Sequence, residues 1–184
     1  MRIISGTARG TKLFTLEGEN TRPTLDRVKE SLFNIIQNDI EDSVVLDLFS
    51  GSGAIGLEFA SRGAKKVYLN DNSKDAIEII KKNIDKTHLT EKVELYNLNF
   101  LKLIQNVKEK RFDIVYLDPP YKTDYIIQSI NELIKLDKIT YKSLIIAETD
   151  DDKRFLTQTK ELTNIEIIDK RKYGRVYIFI LKEN

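Results

Sequence analysis

The segment Val44-Val45-Leu46-Asp47-Leu48-Phe49-Ser50-Gly51-Ser52-Gly53-Ala54-Ile55-Gly56 constrains this chain more than any other. A short unbroken apolar run reads as a strand buried on both faces, the habit of parallel sheets covered by helices. A G-x-G-x-x-G pattern follows directly and opens onto a helical stretch. Glycines at that point remove the side chains that would block a ligand lying over the strand end. The pattern alone fits a plain strand–helix turn equally well. Asp47 changes the weighting, because it stands four residues before the first glycine of the pattern. A carboxylate there repels a phosphate and welcomes an ammonium. The spacing therefore points away from a dinucleotide and toward S-adenosylmethionine, which carries an ammonium and a sulfonium.

The rest of the chain alternates in the same way. Residues 2–16 read as a short hairpin turning at Gly6 and Gly10, and Thr24 as an N-cap for a helix over 25–38. Strands are expected at 43–49, 66–70, 92–97, 113–117 and 143–148. Helices are expected at 54–62, 73–86, from Asn99, at 123–136 and at 152–161. The tail over 164–182 reads as two strands broken by Lys172-Tyr173-Gly174-Arg175, too short a connection for a parallel crossover. Strands alternating with helices imply βαβ units and a mostly parallel sheet. The architecture is α/β: seven strands, closed by an antiparallel C-terminal hairpin and preceded by a small N-terminal hairpin and helix. We read one domain over 1–184, with 1–40 as an N-terminal extension and 41–184 as the core.

Composition removes several chemistries. With no Cys and one His among 184 residues, thiolate zinc sites, iron–sulfur clusters, cysteine nucleophiles and His-rich metal sites are excluded, and no metal is expected. No apolar run approaches the ~18–20 residues of a membrane span, and the N-terminus lacks a signal-peptide core. A cytoplasmic protein is expected. Charge is nearly balanced, with 30 Lys and Arg against 29 Asp and Glu, so any basic surface must be local. Two candidates stand out. Arg2, Arg9 and Lys12 lie in an opening stretch of 12 residues without an acid, and Arg22, Arg27 and Lys29 follow. These last also read as solvated helix surface. At the other end Lys170, Arg171, Lys172 and Arg175 surround Tyr173, a combination suited to RNA phosphates and a splayed base. A solvated turn would look the same. His88 reads as a surface residue.

Three further features carry chemistry. Asp71, ending the strand Val67-Tyr68-Leu69-Asn70, can accept both hydroxyls of a ribose or cap the next helix. Asn99 serves equally as an N-cap before Phe100 or as a partner for an adenine amino group. Asp118-Pro119-Pro120-Tyr121 follows a buried strand. Consecutive prolines stiffen the backbone and leave carbonyls directed outward. The Asp118 carboxylate and Pro119 carbonyl then form two adjacent acceptors for an exocyclic NH2 group. Tyr121 offers a face on which a base can stack.

In this order, Asp-x-Phe-x-Gly-x-Gly, an acid and Asp-Pro-Pro-Tyr resemble the Rossmann-like class I methyltransferases that modify exocyclic amines. Met1-Arg-Ile-Ile-Ser-Gly with Arg9-Gly10, and Thr21-Arg-Pro-Thr-Leu-Asp-Arg-Val-Lys-Glu-Ser-Leu-Phe33, are narrower. They are similar to the bacterial 16S ribosomal RNA guanine-N2 methyltransferase family, over nearly the whole chain. The resemblance implies that Asp47, Gly51, Gly53 and Asp71 hold S-adenosylmethionine, with Phe49, Ser52, Asn72, Asn99 and Phe100 completing the set. It implies that Asp118, Pro119, Pro120 and Tyr121 hold the target guanine. Arg2, Arg9, Lys12, Arg22, Arg27, Arg171, Lys172, Tyr173 and Arg175 are the expected RNA contacts, and S-adenosylhomocysteine the by-product. Asn99 stands where this family is expected to carry Asp, and Asn70 interrupts an apolar strand end just before Asp71.

The implied partner is 16S rRNA or the small ribosomal subunit, met by a monomer. Adenine-N6 methylation of nucleic acid competes, because Asp-Pro-Pro-Tyr serves either amine, but no stretch is long enough for a separate target-recognition domain. Protein-glutamine methylation is chemically close but leaves the basic patches without a purpose. Hydride transfer with NAD would use Asp71 but neither Asp47 nor Asp118. A non-enzymatic RNA-binding assembly factor would need neither motif intact.

Overall fold

The apolar run at 44–49 forms strand β1 (Val44–Asp47) in a computed structural model that describes residues 1–16 and 23–184. The elements follow as α1 (Pro23–Ile35), β1, α2 (Ala54–Ser61), β2 (Lys66–Asn70), α3 (Lys74–Thr87), β3 (Val93–Tyr96) and α4 (Phe100–Asn106). Then come β4 (Ile114–Leu117), α5 (Tyr125–Lys135), β5 (Leu144–Thr149), α6 (Asp152–Gln158), β6 (Ile165–Tyr173) and β7 (Val176–Glu183). Two compact units divide the chain, Met1–Leu98 and Asn99–Asn184. The strand order is β3-β2-β1 in the first and β4-β5-β7-β6 in the second, two runs of a seven-stranded mixed sheet. The expected α/β architecture is therefore the observed one.

In the first unit β1, β2 and β3 are parallel. Val45, Leu46, Val67 and Leu69 are buried, as are Leu57 and Phe59 of α2 and Ile80 of α3. Gly56 explains how closely α2 approaches the sheet. A Cβ there would fall 2.0 Å from Leu69 Cδ2 and 3.1 Å from Asp47 Oδ2. The expected N-terminal hairpin is reduced to one antiparallel bridge, Arg2 with Lys12, flanked by Ile3 N–H to Thr11 O and Leu13 N–H to Met1 O, both 3.0 Å. What holds it is remote in sequence. Glu58 of α2, fully buried, accepts from Ile4 N at 2.8 Å and Ser5 N at 3.0 Å. It also pairs with Lys29 at 3.0 Å and Arg62 at 2.7 Å. Burying three charges is tolerable because each finds a partner. Lys29 is thus a buried counter-ion, not the solvated helix residue its sequence position suggested. Arg22 and the Thr24 side chain lie outside the described residues.

In the second unit β4 and β5 are parallel, whereas β7 runs antiparallel to both β5 and β6. Leu103, Val115, Ile130, Ile145 and Phe179 are buried here. The β6–β7 hairpin is tighter than expected. Pairing continues through Lys172 with Tyr177 and Tyr173 with Val176, which leaves a two-residue turn at Gly174-Arg175. Gly174 takes φ +61°, as such turns require. His88 caps α3 in the left-handed region at φ 57°, an exposed surface position as expected.

Candidate active site

In the first unit a candidate site is built where β1 gives way to α2. Expected to run to Phe49, the strand leaves its ladder after Asp47 because Ser50 ties the chain to the end of β2. Ser50 N donates to Asn70 O at 2.9 Å, and Ser50 Oγ accepts from Asn70 N at 3.1 Å. Gly51 and Gly53 both take positive φ, 54° and 79°, so the loop turns through backbone that other residues resist. Gly53 also begins α2 as its N-cap residue.

Asp47 is 1% exposed. Its Oδ2 accepts from Gly56 N at 3.0 Å, while Oδ1 is buried without a hydrogen-bond partner. Burial pushes its carboxyl up to about 7, with the nearby Asp71 charge adding to the effect against the Gly56 hydrogen bond. A buried acceptor left unpaired is costly, and a cationic donor from a ligand would relieve it. Asp71 is half-buried beside the loop and accepts from Gly51 N through Oδ2 and Ser73 N through Oδ1, each at 2.9 Å. Ser73 caps α3 itself, accepting from Ala76 N, so Asp71 orders the loop rather than serving as N-cap. Each of its oxygens keeps lone-pair capacity for a ribose hydroxyl.

Asn70 resolves its own oddity. It is buried, donates to Leu48 O and Leu98 O at 3.1 Å each, and accepts from Leu98 N at 3.1 Å. The amide staples three chain segments, which leaves Asp71 as the residue at the loop. Ser52 is buried and its carbonyl accepts from Asn83 Nδ2 at 2.9 Å, Phe49 is half-buried, and Asn72 is exposed. Asp47, Phe49, Gly51, Ser52, Gly53, Asp71 and Asn72 thus gather at one strand–loop–helix junction. The residues present fit S-adenosylmethionine: a buried acid with an unpaired oxygen for a cation, glycines for close approach and an acid for a diol.

Asn99 and Phe100 belong to the second unit. Asn99 Oδ1 accepts from Leu101 N at 3.0 Å and caps α4, so its cap role is realised. Phe100 is buried, with its ring centroid 4.6 Å from that of Tyr125.

In the second unit a separate candidate site lies at the carboxyl ends of β4 and β5. Asp118 is half-buried, Pro119 buried, and Pro120 and Tyr121 exposed, so the turn after β4 presents itself to solvent. It opens onto a cavity of about 250 Å³ lined by Pro119, Pro120 and Tyr121 together with Glu148, Asp150, Asp151, Arg154 and Phe155. Glu148 was not anticipated from the sequence. Its carboxylate accepts from Tyr116 Oη at 2.5 Å and from Tyr121 Oη at 3.3 Å. The signal was available: one acid closing an otherwise apolar strand. Burial, with Asp118, Glu148 and Asp150 adding negative charge, pushes the Tyr121 phenol well above its usual range. Tyr121 stays a neutral donor, and the cavity favours partners that donate protons over anions.

The basic candidates divide. Arg2, Arg9 and Arg27 line one cavity of about 420 Å³, but Asp26 and Glu30 line it too, and Arg2 pairs with Asp26 at 3.7 Å. The opening charge expected to stand without an acidic offset is partly compensated through space. Lys12 is exposed. In the C-terminal hairpin Arg171 pairs with Asp169 at 2.9 Å, Lys172 lies over the Tyr177 ring, Tyr173 is half-buried and Arg175 is exposed. Among the described residues no group of His, Asp and Glu could hold a metal, and no helix is long and apolar enough to cross a membrane.

A glycine loop of this kind after one strand and Asp-Pro-Pro-Tyr after another define the Rossmann-like methyltransferases. Comparison with known proteins narrows the class. Residues 1–182 match the family model described as conserved hypothetical protein 95. The chain is 42% identical over 161 residues to ribosomal RNA small subunit methyltransferase D of Haemophilus influenzae, covering 85% of this chain and 82% of that protein. It is 31% identical to a putative rRNA methyltransferase of Bacillus subtilis, over 100% of this chain and 99% of that one. The solved structure of a putative methyltransferase from Escherichia coli superposes with a TM-score of 0.83 at 29% identity, covering 100% of this chain and 98% of its own. The chain belongs to the family of ribosomal RNA small subunit methyltransferase D.

Proposed function

We propose that this methyltransferase transfers a methyl group from S-adenosylmethionine to the exocyclic N2 of a guanine in 16S ribosomal RNA, within an assembled or assembling small subunit. The observation that carries the reading is the Asp118-Pro119-Pro120-Tyr121 turn opening onto a cavity lined by Glu148, Asp150 and Asp151 as well as by Lys122 and Arg154. The names of the relatives, ribosomal RNA methyltransferases, support the acceptor class. The enzyme acts as a monomer, in the cytoplasm where ribosomes are assembled.

When bound, the cofactor supplies an electrophilic methyl on a sulfonium. Asp47 would hold its ammonium, whose charge would favour the ionised carboxylate. Asp71 orients its ribose, and Gly51 and Gly53 let it approach the backbone. Phe49, Ser52 and Asn72 line the same junction, and the family resemblance adds Asn99 and Phe100 near the adenine. At the acceptor the guanine is unstacked from its RNA and laid against Tyr121. The N2 lone pair is delocalised into the ring and localises only as attack begins, so N2 gains positive charge. Asp118 and the Pro119 carbonyl accept its two hydrogens and stabilise that charge. The proton that N2 sheds on gaining the methyl would pass from the hydrogen bonds of Asp118 and the Pro119 carbonyl to solvent. Positioning supplies much of the remaining acceleration, so no strong base is needed. Arg2, Arg9, Lys12, Arg22, Arg27, Arg171, Lys172, Tyr173 and Arg175 hold the surrounding RNA.

The test is transfer of labelled methyl from S-adenosylmethionine to 16S RNA, partially assembled small subunits and duplex DNA offered in parallel. Label in either ribosomal substrate is expected. Label in DNA alone, or in neither nucleic acid, would overturn the acceptor assignment.

A further inference from the structure

Strand β5 reads Leu144-Ile145-Ile146-Ala147-Glu148-Thr149, four buried apolar residues followed by a carboxylate. Taking a carboxylate out of water is costly unless its oxygens are hydrogen-bonded. Glu148 divides its two oxygens between two phenols of very different standing. Tyr116 is a buried residue of β4, fixed in the sheet. Tyr121 is 38% exposed and sits on the turn that follows the same strand. Register explains why one acid reaches both. Leu117 pairs with Ala147, so Glu148, itself paired with Ile178 of β7, lies one step beyond the β4–β5 ladder, level with the start of the turn. It thereby joins a ring anchored in the core to a ring at the cavity mouth.

An exposed tyrosine on a turn would otherwise rotate about two side-chain torsions. A base stacked on a rotating ring is not held in one plane, and a displacement of about 1 Å at a reacting atom can cost roughly a hundredfold in rate. Resting on the acceptor reading above, we propose that Glu148 is a positioning residue for the methyl acceptor: through the Tyr121 hydroxyl it fixes the plane on which the acceptor base stacks. The Tyr116 hydroxyl in turn fixes Glu148. The 3.3 Å bond to Tyr121 is at the long end for such contacts, as expected of a link that tightens when a base fills the cavity. Glu148 touches neither reacting atom, so its effect passes entirely through Tyr121.

The experiment compares Tyr121→Phe, Glu148→Ala and Glu148→Gln with the double variant Glu148→Ala/Tyr121→Phe. Each is assayed for kcat and KM on the RNA or subunit that the unaltered enzyme methylates, for cofactor Kd, and for melting temperature. Tyr121→Phe removes a single oxygen and keeps the ring, so it probes the link without emptying the cavity. Tyr121→Phe and Glu148→Ala are each expected to lower kcat about tenfold or more, with cofactor Kd unchanged. The double variant should be no slower than the slower single, because both remove the same link. Glu148→Gln should recover part of the loss, its amide oxygen still accepting from one phenol. The proposal is overturned if the losses multiply in the double variant, if either single variant is as fast as the unaltered enzyme, or if cofactor affinity falls by the same factor as kcat. Should Glu148→Ala fail to fold, Glu148→Gln paired with Tyr121→Phe carries the same comparison. Failure of the function itself is separately visible, since the unaltered enzyme would then make no N2-methylguanosine.

Discussion

Asp47 ends one buried parallel strand and Asp118 directly follows another, yet their surroundings differ. Asp47 is sealed in: one oxygen bound by Gly56, the other buried without a partner, and the loop around it laced to β2 through Ser50 and Asn70. Asp118 is half-buried on a proline-stiffened turn beside an open cavity of mixed charge. The difference suits the roles we propose for them. A small donor molecule of fixed shape can be bound by a preformed, desolvated junction. An acceptor base carried by a large RNA would need an approachable surface, with rigidity supplied locally by the prolines and, on our proposal, by the Tyr116–Glu148–Tyr121 chain. If the contrast is correct, changes at the two acids separate cleanly into cofactor affinity and turnover.

The largest effect is expected at the acceptor. Asp118→Asn should lower kcat by roughly a hundredfold to a thousandfold, the range for removing one charge-stabilising group, while isothermal titration finds cofactor Kd within about twofold of the unaltered value. A matching loss of cofactor affinity would erase the distinction between the two acids.

Gly56→Ala probes the opposite side. Its new methyl would have to displace the Leu69 side chain and crowd Asp47. Overpacking of this kind costs about 1–3 kcal/mol, so thermal unfolding should shift down by several degrees and cofactor binding should weaken with it. An unchanged melting temperature would mean that the junction is looser than its distances indicate.

Asp47 ties affinity to pH. Its carboxyl is raised to about 7 by burial, well above the ordinary value of 3.8 that it regains on unfolding. Raising the folded value of an acid makes ionisation unfavourable to the fold. Stability from this group is therefore greatest below pH ~4 and declines as pH rises toward 7, where the folded carboxyl finally ionises. A cationic ligand needs the ionised form, so cofactor affinity should rise between about pH 6 and 8. S-adenosylhomocysteine, which keeps the ammonium, should follow the same profile, whereas methylthioadenosine, which lacks it, should not. Asp47→Asn should flatten the profile, lose about tenfold in affinity at pH 8, and raise stability there. A variant that keeps the slope would show that another group titrates.

The smallest effects belong to the periphery. Arg175→Ala should raise KM for RNA a few-fold, leave cofactor Kd alone, and reduce the salt slope of RNA binding by about 0.7, the value for one phosphate contact on a single strand. Arg171, already paired with Asp169, should matter less.

How much of this was legible in the sequence follows from the range of the forces involved. The alternation of strands and helices, the glycine loop and Asp-Pro-Pro-Tyr are legible because their causes are local: apolar periodicity, missing Cβ atoms and proline geometry. Lys66–Asn70 was read to the residue because both its boundaries coincide with a change in burial. The N-terminal hairpin was read too generously, since its one bridge depends on Glu58, more than 50 residues away, and nothing near Ile4 announces that partner. Lys29 was misread for the same reason: a lysine on a helix looks solvated until the acid facing it is known. Asn70 looked like an interruption because its three bonds run to residues 22 and 28 positions distant. Glu148 went unnoticed although an acid ending an apolar strand was visible, because its two tyrosines come from another strand and its turn.

The most direct measurement is the identity of the modified nucleoside. After labelled methyl transfer to the ribosomal substrate, the RNA is digested to nucleosides and the labelled species is resolved by mass and retention. The account predicts N2-methylguanosine, lost in Asp118→Asn. N6-methyladenosine as the labelled product would contradict it, leaving the cofactor assignment standing and the acceptor assignment wrong.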